Sequence, residues 1–520
     1  MNQRLVFLNP RHINFWIALV FIAAIVLRST HFIFRTSMWF DELTSSINVM
    51  DKSFYQLATE SLDNNQVAPV GFLLLQKLAT VLFGLNDHAY RFFPFIFSLI
   101  SILLFYKIGN QFFKGIALLC VFTLCACSSS QIFYGGEAKQ YAGDAAAALF
   151  IVWSSLQLLQ PAIKKSTLWL IALGGFIFIL CSLPAVVIAP IALLVVFVKL
   201  LKKQISLSKQ NFFLIAASWA FACLLLVLYA KFIISHTVQD AMGSYWSRGF
   251  LPLSNFIDTL TWLPLKLYDE LAFFLSFWMP SVTPQIKYVA LALLLLSVPG
   301  IIYLIKNYKL LTLILFSPLI TAVLLAAFRI LPFEARVVVY ATWPLVFSGF
   351  AGIEVLKQWL PRLFPNAITI AISLCIAFPV LLRLIIIPEE RPPFNAQPSQ
   401  LVLHELKKQW QPGDILFVYF KARHALKFYG PKEGITDYRV GGNYKTIEQH
   451  LRQLDSLRGN KRIWFFFSQW TERQPFPDSI KTYLGTVIGK EIGKIPDPHG
   501  GTEDLEAAAY LYDLSGKKTK

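Results

Sequence analysis

Two acidic residues stand side by side where the first long apolar stretch ends, within SMWFDELTSSINVM at residues 37–50. Neighbouring residues on a helix point about 100° apart, so the carboxylates of Asp41 and Glu42 would face different surroundings. A carboxylate held above a membrane can accept the proton of a hydroxyl nucleophile. The alternative is that Asp41 caps a helix over residues 41–51, because the helix dipole favours an acid there. Asp41 is therefore a candidate general base.

Basic and polar side chains recur at the ends of further apolar stretches. Fixed lysines and arginines bind phosphate, so cations at the depth of the acids suit the phosphate or diphosphate of a lipid headgroup. Snorkelling of the side chain toward water is the alternative for each cation. We favour snorkelling for Lys77, Lys231 and Lys266. The stretches HAYRFFPF, YGGEAKQYAGD and RILPFEAR supply the candidate site residues His88, Arg91, Glu137, Lys139, Tyr141, Asp144 and Arg336, of which Arg91, Lys139 and Arg336 are the favoured phosphate ligands.

Membrane-spanning helices are the elements that must position these residues. The 520-residue chain is 56% hydrophobic and 15% charged, with a mean hydropathy of +0.55. Apolar runs of about 20 residues, enough to cross about 30 Å of hydrocarbon, recur through its first three quarters. The predicted fold class is an α-helical polytopic membrane protein with about eleven transmembrane helices. The predicted spans are 14–34, 91–112, 115–133, 142–160, 167–183, 185–201, 211–234, 286–305, 310–329, 336–356 and 367–388.

The distribution of lysine and arginine sets the predicted orientation. The segment 68–84 is short and amphipathic and carries Gln76 and Lys77, so we predict a helix at the membrane interface rather than a span. Loops rich in Lys and Arg then share the side of the N-terminus, which the positive-inside rule makes cytoplasmic. Residues 389–520 then lie on the outer side of the membrane. All acids of residues 1–388 except Glu354 then lie at the outer face, a gathering that suggests function.

Two domains are predicted. Residues 1–388 form a membrane module, whose long outer loops at 35–90 and 235–285 are expected to be functional or assembly surfaces. Residues 389–520 hold 36 charged side chains against 41 in the rest of the chain, which indicates a soluble domain. Its apolar runs ILFVYF and RIWFFFS are typical of buried strands, so a small extracytoplasmic α/β domain is predicted.

The composition also excludes some classes of partner and cofactor. The net charge of +17 lies mostly before residue 389, and topology-determining loops or anionic lipid explain it better than nucleic acid does. All six cysteines fall in apolar runs, so no disulfide framework or cysteine metal pair is predicted. No cofactor is required by these residues, although a divalent metal could replace some of the cations.

The ordered segments SMWFDE, APVGFLLLQKLATVLFGLNDHAYRFFP and FYGGEAKQYAGDAAAALF resemble the core of integral-membrane C-type glycosyltransferases. The resemblance is to the bacterial branch related to protein O-mannosyltransferases and lipid A aminoarabinose transferases, of the family 39 type. It covers most of residues 14–200 and is weaker over LPFEARVVVYATWP at 331–344. The expected fold is therefore the C-type glycosyltransferase fold.

The resemblance implies a polyprenyl-phosphate sugar donor and transfer at the outer face of the bacterial inner membrane. Asp41 matches the acid proposed as general base in the family, and Glu42 matches its companion. Relatives carry Arg or Lys where Lys139 stands, followed by tyrosine. Glu137 and Asp144 compete for the role of a second functional acid. No lumenal insert of the protein mannosyltransferases is found in the tail, so a lipid or glycan acceptor is favoured over a protein.

These residues predict an inverting single displacement. The anomeric carbon of a lipid-phosphate sugar is already activated, so the enzyme needs a base for the acceptor hydroxyl and cations for the departing phosphate. We expect the carboxylate of Asp41 and these cations to converge in one outer pocket. A lipid-linked glycan polymerase or ligase is the nearest alternative. A secondary transporter is a second alternative, but it would need internal symmetry and broken helices at the midplane.

Overall fold

A computed structural model describes residues 10–234, 243, 245–253, 255–276, 284–387, 391–468, 476–499 and 506–516. Contacts between Cα atoms divide the chain into two compact units. One unit, here called the membrane unit, comprises Met1–Ile33 and Lys52–Phe394. The other, here called the C-terminal unit, comprises Phe34–Asp51 and Asn395–Lys520, so it includes the segment that carries Asp41 and Glu42.

Helices dominate the described residues. In chain order they are α1 (Pro10–Phe34), α2 (Phe40–Asp51), α3 (Phe54–Thr59), α4 (Val70–Phe83), α5 (Asp87–Phe112), α6 (Gly115–Ala126), α7 (Ser129–Gly135), α8 (Tyr141–Leu158), α9 (Lys165–Leu180), α10 (Ala185–Leu201), α11 (Lys209–Phe232), α12 (Phe256–Leu275), α13 (Pro284–Ala327), α14 (Trp343–Trp359), α15 (Asn366–Ile386), α16 (Ser399–Lys408), α17 (Arg423–Tyr429), α18 (Ile447–Asp455) and α19 (Phe476–Tyr483). Helix α2 and helices α16 to α19 belong to the C-terminal unit.

Within the described ranges, five helices are long and apolar enough to cross a membrane, or six if the bent pair α6 and α7 forms one span. Helices α4, α9 and α10 are apolar but shorter. The 44-residue helix α13 contains a non-helical residue, Tyr308, where the sequence predicts a boundary between two spans. The helical polytopic fold class is confirmed, and the total of eleven spans stays a prediction.

Small residues let the membrane helices approach closely. A Cβ atom on Gly352 of α14 would lie 1.8 Å from the carbonyl oxygen of Leu296 in α13, and one on Gly300 would lie 2.0 Å from that of Ser348. Apolar helices in a membrane gain stability from this kind of close backbone packing, because lipid supplies no hydrophobic driving force between them. The pair α13 and α14 therefore depends on glycine at these crossings.

A mixed sheet forms the core of the C-terminal unit. Among the described residues the strand order is β2-β1-β3-β5-β4, with β1 (Ile415–Val418), β2 (Arg439–Val440), β3 (Ile463–Ser468), β4 (Lys490–Ile495) and β5 (Ala507–Asp513). Strand β1 pairs in parallel with both β2 and β3, whereas β5 runs antiparallel to β3 and β4. The small α/β fold of this region is confirmed, and all six residues of β3 are buried as predicted.

The turn before strand β4 is helical. Leu484–Ile488 continue helix α19 as a π-helical turn, and β4 begins at Lys490. Leu484 and Ile488 are both buried. A four-residue spacing of apolar side chains suits a helix, and their burial here outweighs the β-propensity of the valine between them.

Candidate active site

The start of helix α5 holds Arg91 inside the membrane unit. Asn86 caps this helix by accepting a hydrogen bond from the backbone N–H of Ala89 (3.0 Å), which fixes the first turn. Arg91 is only 1% exposed. His88 lies one turn earlier on the exposed side, where its Nε2 is 3.2 Å from the carbonyl oxygen of Ile33 and its ring contacts Phe32. Arg91 therefore faces the interior, while His88 braces the end of α1.

The turn that carries Glu137 and Lys139 is joined to this helix start by Gln76. The Gln76 side chain, fully buried in α4, donates hydrogen bonds to the carbonyl oxygens of Tyr90 (3.1 Å) and Ala138 (3.2 Å). Tyr90 precedes Arg91, and Ala138 lies between Glu137 and Lys139. The structure therefore brings together three of the predicted site residues, Arg91, Glu137 and Lys139, through the backbone positions beside them.

The cation and acid of this turn are both buried. Glu137 is 0% exposed and Lys139 is 5% exposed. The Lys139 ammonium donates to the side-chain carbonyl oxygen of Gln66 at 2.5 Å, and the neighbouring Gln140 amide donates to the backbone oxygen of Val67. Ionised groups are costly at such positions unless they are satisfied, and they usually mark function in a membrane protein.

Glycine is required in the same turn because a histidine fills the adjacent space. A Cβ atom on Gly136 would lie 2.4 Å from the His31 ring. His31 is fully buried: its Nε2 lies 3.1 Å from the carbonyl oxygen of Phe133, and its Nδ1 accepts from the backbone N–H of Phe394. Gly136 therefore lets the turn pass close to α1, and the preceding Gly135 lets it pass close to Ser98 of α5.

Tyr141 lies in a buried aromatic cluster that also reaches the Arg336 segment. The Tyr141 ring packs edge-on against Tyr134 at 5.2 Å, and both belong to a cluster with Val339. The Gln131 side chain, in α7, donates to the Val339 carbonyl oxygen at 3.1 Å. Through this cluster, the residues around Tyr141 contact the segment that follows Arg336, at Val339.

Asp144 occupies a different position from Glu137. It lies one turn into α8 and is 7% exposed, and its Oδ1 atom has no hydrogen-bond partner among the described residues. The Ser182 hydroxyl, at the break between α9 and α10, lies beside its carboxyl group. Asp144 therefore points toward that break, whereas Glu137 lies in the turn with Lys139.

Arg336 lies in a short 3-10 turn, Ala335–Val338, near the end of α12. Its guanidinium lies over the Trp246 ring, 5.4 Å from the ring centroid. The preceding Glu334 forms an ion pair with Lys266 of α12, which is only 12% exposed. The snorkelling predicted for Lys266 is therefore wrong, because its side chain is mostly buried and pairs with the Glu334 carboxylate.

A buried acid that the sequence analysis did not single out, Glu270, lies beside the turn that carries Arg336. It is 3% exposed, and its Oε2 atom has no hydrogen-bond partner in the described part of the chain. Burial raises the pKa of its carboxyl group to about 8, although a hydrogen bond from the Ala335 backbone acts in the opposite direction. An acid on the apolar face of the amphipathic helix α12 was the available sequence signal.

Two buried arginines were also missed. Arg28 of α1 and Arg383 of α15 are 1% and 3% exposed. Arg28 donates to the carbonyl oxygen of Ala126 at 2.7 Å, and Arg383 donates to the Ser129 hydroxyl at 3.1 Å, so both bind the break between α6 and α7. A single arginine in an apolar span is itself a sequence signal for such a role. Here they bind a carbonyl group and a hydroxyl group at the break between the two helices.

The acidic pair lies in the C-terminal unit and its two members differ. Glu42 is fully buried, forms an ion pair with Arg35 at 3.0 Å, and accepts a hydrogen bond from the backbone N–H of Trp39. This bond is one half of a capping box at the start of α2. Asp41 is half-buried at the same helix start. The two carboxylates therefore have different surroundings, as their adjacent positions predict.

The predicted site residues are thus divided between the two compact units. The C-terminal unit contains Asp41 and Glu42. The membrane unit contains the others, which are Arg91, Lys139, Arg336, His88, Tyr141, Glu137 and Asp144. Their convergence in one pocket stays a prediction. Among the described residues, no group of three or more His, Cys, Asp and Glu side chains is arranged to hold a metal ion.

No protein-family model matches this chain, and no curated protein matches it by sequence. Solved structures do match it. The crystal structure of ArnT from Cupriavidus metallidurans in the apo state superposes with a TM-score of 0.53 at 12% identity, covering 97% of this chain and 99% of that one. The same protein bound to undecaprenyl phosphate gives a TM-score of 0.51 at 12% identity, covering 97% of this chain and 100% of that one.

An oligosaccharyltransferase from Archaeoglobus fulgidus, crystallised with zinc and sulfate, gives a TM-score of 0.49 at 13% identity, covering 95% of this chain and 73% of that one. The two ArnT matches extend over both compact units of the chain. At this level of identity they establish the fold. The protein therefore has the C-type glycosyltransferase fold that the sequence resemblance implied, and it is a multi-pass membrane protein built like ArnT.

Proposed function

We propose that this protein transfers a sugar from a polyprenyl-phosphate donor to an acceptor hydroxyl at the outer face of the inner membrane. One observation carries the proposal: the buried Gln76 amide holds the segments of Arg91, Glu137 and Lys139 together. The fold is shared with ArnT, one structure of which contains undecaprenyl phosphate. A lipid carrying a phosphate matches both the buried cations and the apolar helices around them.

The base in this proposal is Asp41. Its carboxylate takes the proton of the acceptor hydroxyl as the acceptor oxygen bonds to the anomeric carbon. The bond between that carbon and the phosphate oxygen breaks, and the lipid leaves as polyprenyl phosphate. A single displacement of this kind inverts the anomeric configuration. Glu42, which is held by Arg35, orients the helix start rather than moving a proton.

The leaving phosphate needs positive charge, because negative charge develops on it as the bond breaks. Arg91 and Lys139 are proposed as its principal ligands, with Arg336 as a third cation and Tyr141 as a hydrogen-bond donor. His88 is proposed to steady this end of the bundle. Glu137 and Asp144 are the candidates for the second functional acid. This mechanism requires no metal, although a divalent cation could take over part of the charge.

The proposed arrangement in the cell follows from the distribution of lysine and arginine. The N-terminus would be cytoplasmic, residues 1–388 would form the membrane module, and residues 389–520 would form an extracytoplasmic domain. The acceptor would be a lipid or a glycan, and a protein acceptor is less favoured.

The test is transfer by the purified protein in lipid nanodiscs. Radiolabelled polyprenyl-phosphate sugars and extracted envelope lipids are supplied, and both the sugar on the acceptor and the free polyprenyl phosphate are measured. We expect Asp41→Asn to abolish both products. The matched control is Asp51→Asn, at the other end of α2, whose exposed ion pair with Lys427 contributes little.

Full transfer by Asp41→Asn would overturn the proposed role of this residue. Transfer of a chain of sugars rather than of one residue would indicate a glycan polymerase or ligase. Uptake of labelled lipid sugar into vesicles without release of polyprenyl phosphate would indicate a transporter.

A further inference from the structure

Side chains of the C-terminal unit bind the backbone just before Asp41. The N–H groups of residues 36, 38 and 40 each donate to such a side chain. The Thr36 N–H donates to the side-chain oxygen Oδ1 of Asn395 at 2.9 Å, and the Met38 N–H donates to the Tyr429 hydroxyl at 2.5 Å. The Phe40 N–H donates to the side-chain oxygen Oε1 of Gln397 at 2.9 Å. These acceptors lie more than 350 residues away along the chain.

The last of these bonds acts on the helix that bears the acidic pair. Phe40 is the first residue of α2, so its N–H has no acceptor within the helix. Gln397 supplies that acceptor from outside. Asp41 follows Phe40 directly, so a side chain of residue 397 fixes the backbone next to the proposed base.

The segment is held in a backbone conformation that it would not adopt alone. Ser37 has a φ of +24° and Gln397 a φ of +47°, both in the left-handed region that non-glycine residues avoid. The Ser37 hydroxyl accepts a hydrogen bond from the backbone N–H of Gln400 at 3.0 Å. Such conformations cost free energy and persist only where the surroundings hold them.

Helix α2 also packs on α17, which contributes Tyr429. The Phe40 ring contacts the His424 ring edge-on at 5.6 Å. At the other end of α2, Asp51 pairs with Lys427 at 2.5 Å. Burial lowers the pKa of His424 to about 4, so the His424 ring that contacts Phe40 is neutral at neutral pH. Both ends of α2 therefore contact one helix of the C-terminal unit, the Phe40 end through buried and half-buried groups and the Asp51 end through an exposed ion pair.

We infer that the C-terminal unit positions the catalytic segment, with Gln397 and Tyr429 as positioning residues for Asp41. Neither residue is assigned contact with substrate. Their role is to hold the backbone of residues 38–40, so that the Asp41 carboxylate keeps one direction. This inference rests on the proposed function of Asp41, and it gives the α/β domain a role in the reaction. A general base must lie within hydrogen-bond reach of its proton, and a misplacement of about 1 Å can cost about a hundredfold in rate.

The first measurement concerns the anchoring itself and does not depend on activity. Hydrogen–deuterium exchange is followed in the full-length protein in nanodiscs for wild type, Tyr429→Phe and Gln397→Met. We expect amides of residues 36–44 to exchange about tenfold faster in both variants. The sheet amides of β1, β3 and β5 should be unchanged. Tyr483→Phe is the matched control, because the Tyr483 hydroxyl donates to Asp455 instead.

The second measurement concerns the consequence for transfer. Both variants should lower kcat by about ten- to a hundredfold while KM for the lipid donor changes by less than about twofold. Gln397→Glu keeps a carbonyl-type acceptor and should restore most of kcat. The melting temperature shows whether Tyr429→Phe folds. If it does not fold, the comparison of Gln397→Met with Gln397→Glu is used as the test.

Three outcomes are distinguished by measuring Asp41→Asn in parallel. Faster exchange with lower kcat supports the inference. The positioning role is overturned if both variants exchange at the wild-type rate. It is also overturned if exchange is faster but kcat equals that of wild type, while Asp41→Asn is inactive. Both results leave the proposed function unchanged. Full activity of Asp41→Asn overturns the proposed function and, with it, the catalytic purpose of the anchoring.

Discussion

The side-chain amide of Gln76 donates a hydrogen bond to the backbone carbonyl oxygen of Ala138, at a distance of 3.2 Å. The same amide nitrogen donates to the carbonyl oxygen of Tyr90 at 3.1 Å. One buried amide in a short apolar helix therefore joins two segments 48 residues apart in the chain. Each segment places a basic residue, Arg91 or Lys139, directly after the bonded carbonyl group. Gln76 is thus a structural link between the two proposed phosphate ligands.

Loss of this link is expected to impair both stability and donor binding. Gln76→Leu leaves the carbonyl oxygens of Tyr90 and Ala138 buried without this donor, which should cost about 1 to 3 kcal/mol in the free energy of unfolding. KM for the lipid donor should rise about tenfold as the cations lose their alignment. Thermal unfolding in detergent and steady-state transfer measure the two effects. Gln160→Leu is the control, because that exposed residue donates to the carbonyl oxygen of Leu156 only four residues before it; equal losses in both variants would contradict the prediction.

Lys139 is expected to contribute directly to the binding of phosphate. Lys139→Met removes the charge but keeps much of the side-chain volume, and a charge-assisted hydrogen bond is worth about 1.5 to 3 kcal/mol. The Kd for polyprenyl phosphate should therefore rise about ten- to a hundredfold. Lys139→Arg should retain most of the affinity. Lys114→Met, at an exposed lysine bonded to Asn110, is the comparison, and an unchanged Kd for Lys139→Met would exclude this role.

The buried ion pair of Glu42 and Arg35 should be costly to break from one side. Glu42→Gln leaves the Arg35 guanidinium buried without its carboxylate, and the expected loss is about 3 to 5 kcal/mol in the free energy of unfolding. Adding Arg35→Met should recover a large part of that loss, because the uncompensated charge is gone. Chemical denaturation of the four species measures the coupling. Glu60→Gln breaks the more exposed pair with Lys52 and should cost less than about 1 kcal/mol.

Glu270 should make stability fall as the pH rises. Its pKa is raised from 4.5 to about 8 in the folded protein, so between these values the folded state binds more protons than the unfolded state. The free energy of unfolding should then decrease by up to about 1.4 kcal/mol for each pH unit between about 5 and 8. Melting temperatures across this range measure the slope. Glu270→Gln should flatten it, and an equal slope in that variant would assign the pH dependence to other groups.

The helical elements and their approximate limits could be predicted because they follow from local patterns. The interfacial helix predicted over residues 68–84 is α4, and the helix predicted over 41–51 is α2. The apolar runs that predicted two strands are β1 and β3. Periodicity of apolar residues is a property of neighbours in the chain, so the sequence shows it directly.

The partners of the polar residues could not be predicted in this way. Gln76 looked like a polar interruption of an apolar helix, and its two acceptors lie in other segments. Glu270 is buried on one face of α12, beside the backbone of Ala335 in another segment. Lys266 was expected to reach water and instead meets Glu334. Each of these outcomes depends on which distant segment lies opposite the side chain.

The amino-acid sequence by itself determined that the protein is a helical membrane protein with a small α/β domain, and that acids and cations gather beside its apolar segments. Hydrophobic length and periodicity suffice for that, because the cost of placing charge in hydrocarbon acts on each segment separately. Only the tertiary structure decided that Gln76 links the segments of Arg91 and Lys139, and that residues 395–429 hold the backbone before Asp41. A hydrogen bond requires two groups within about 3 Å, and only the fold brings residues so distant in the chain to that separation.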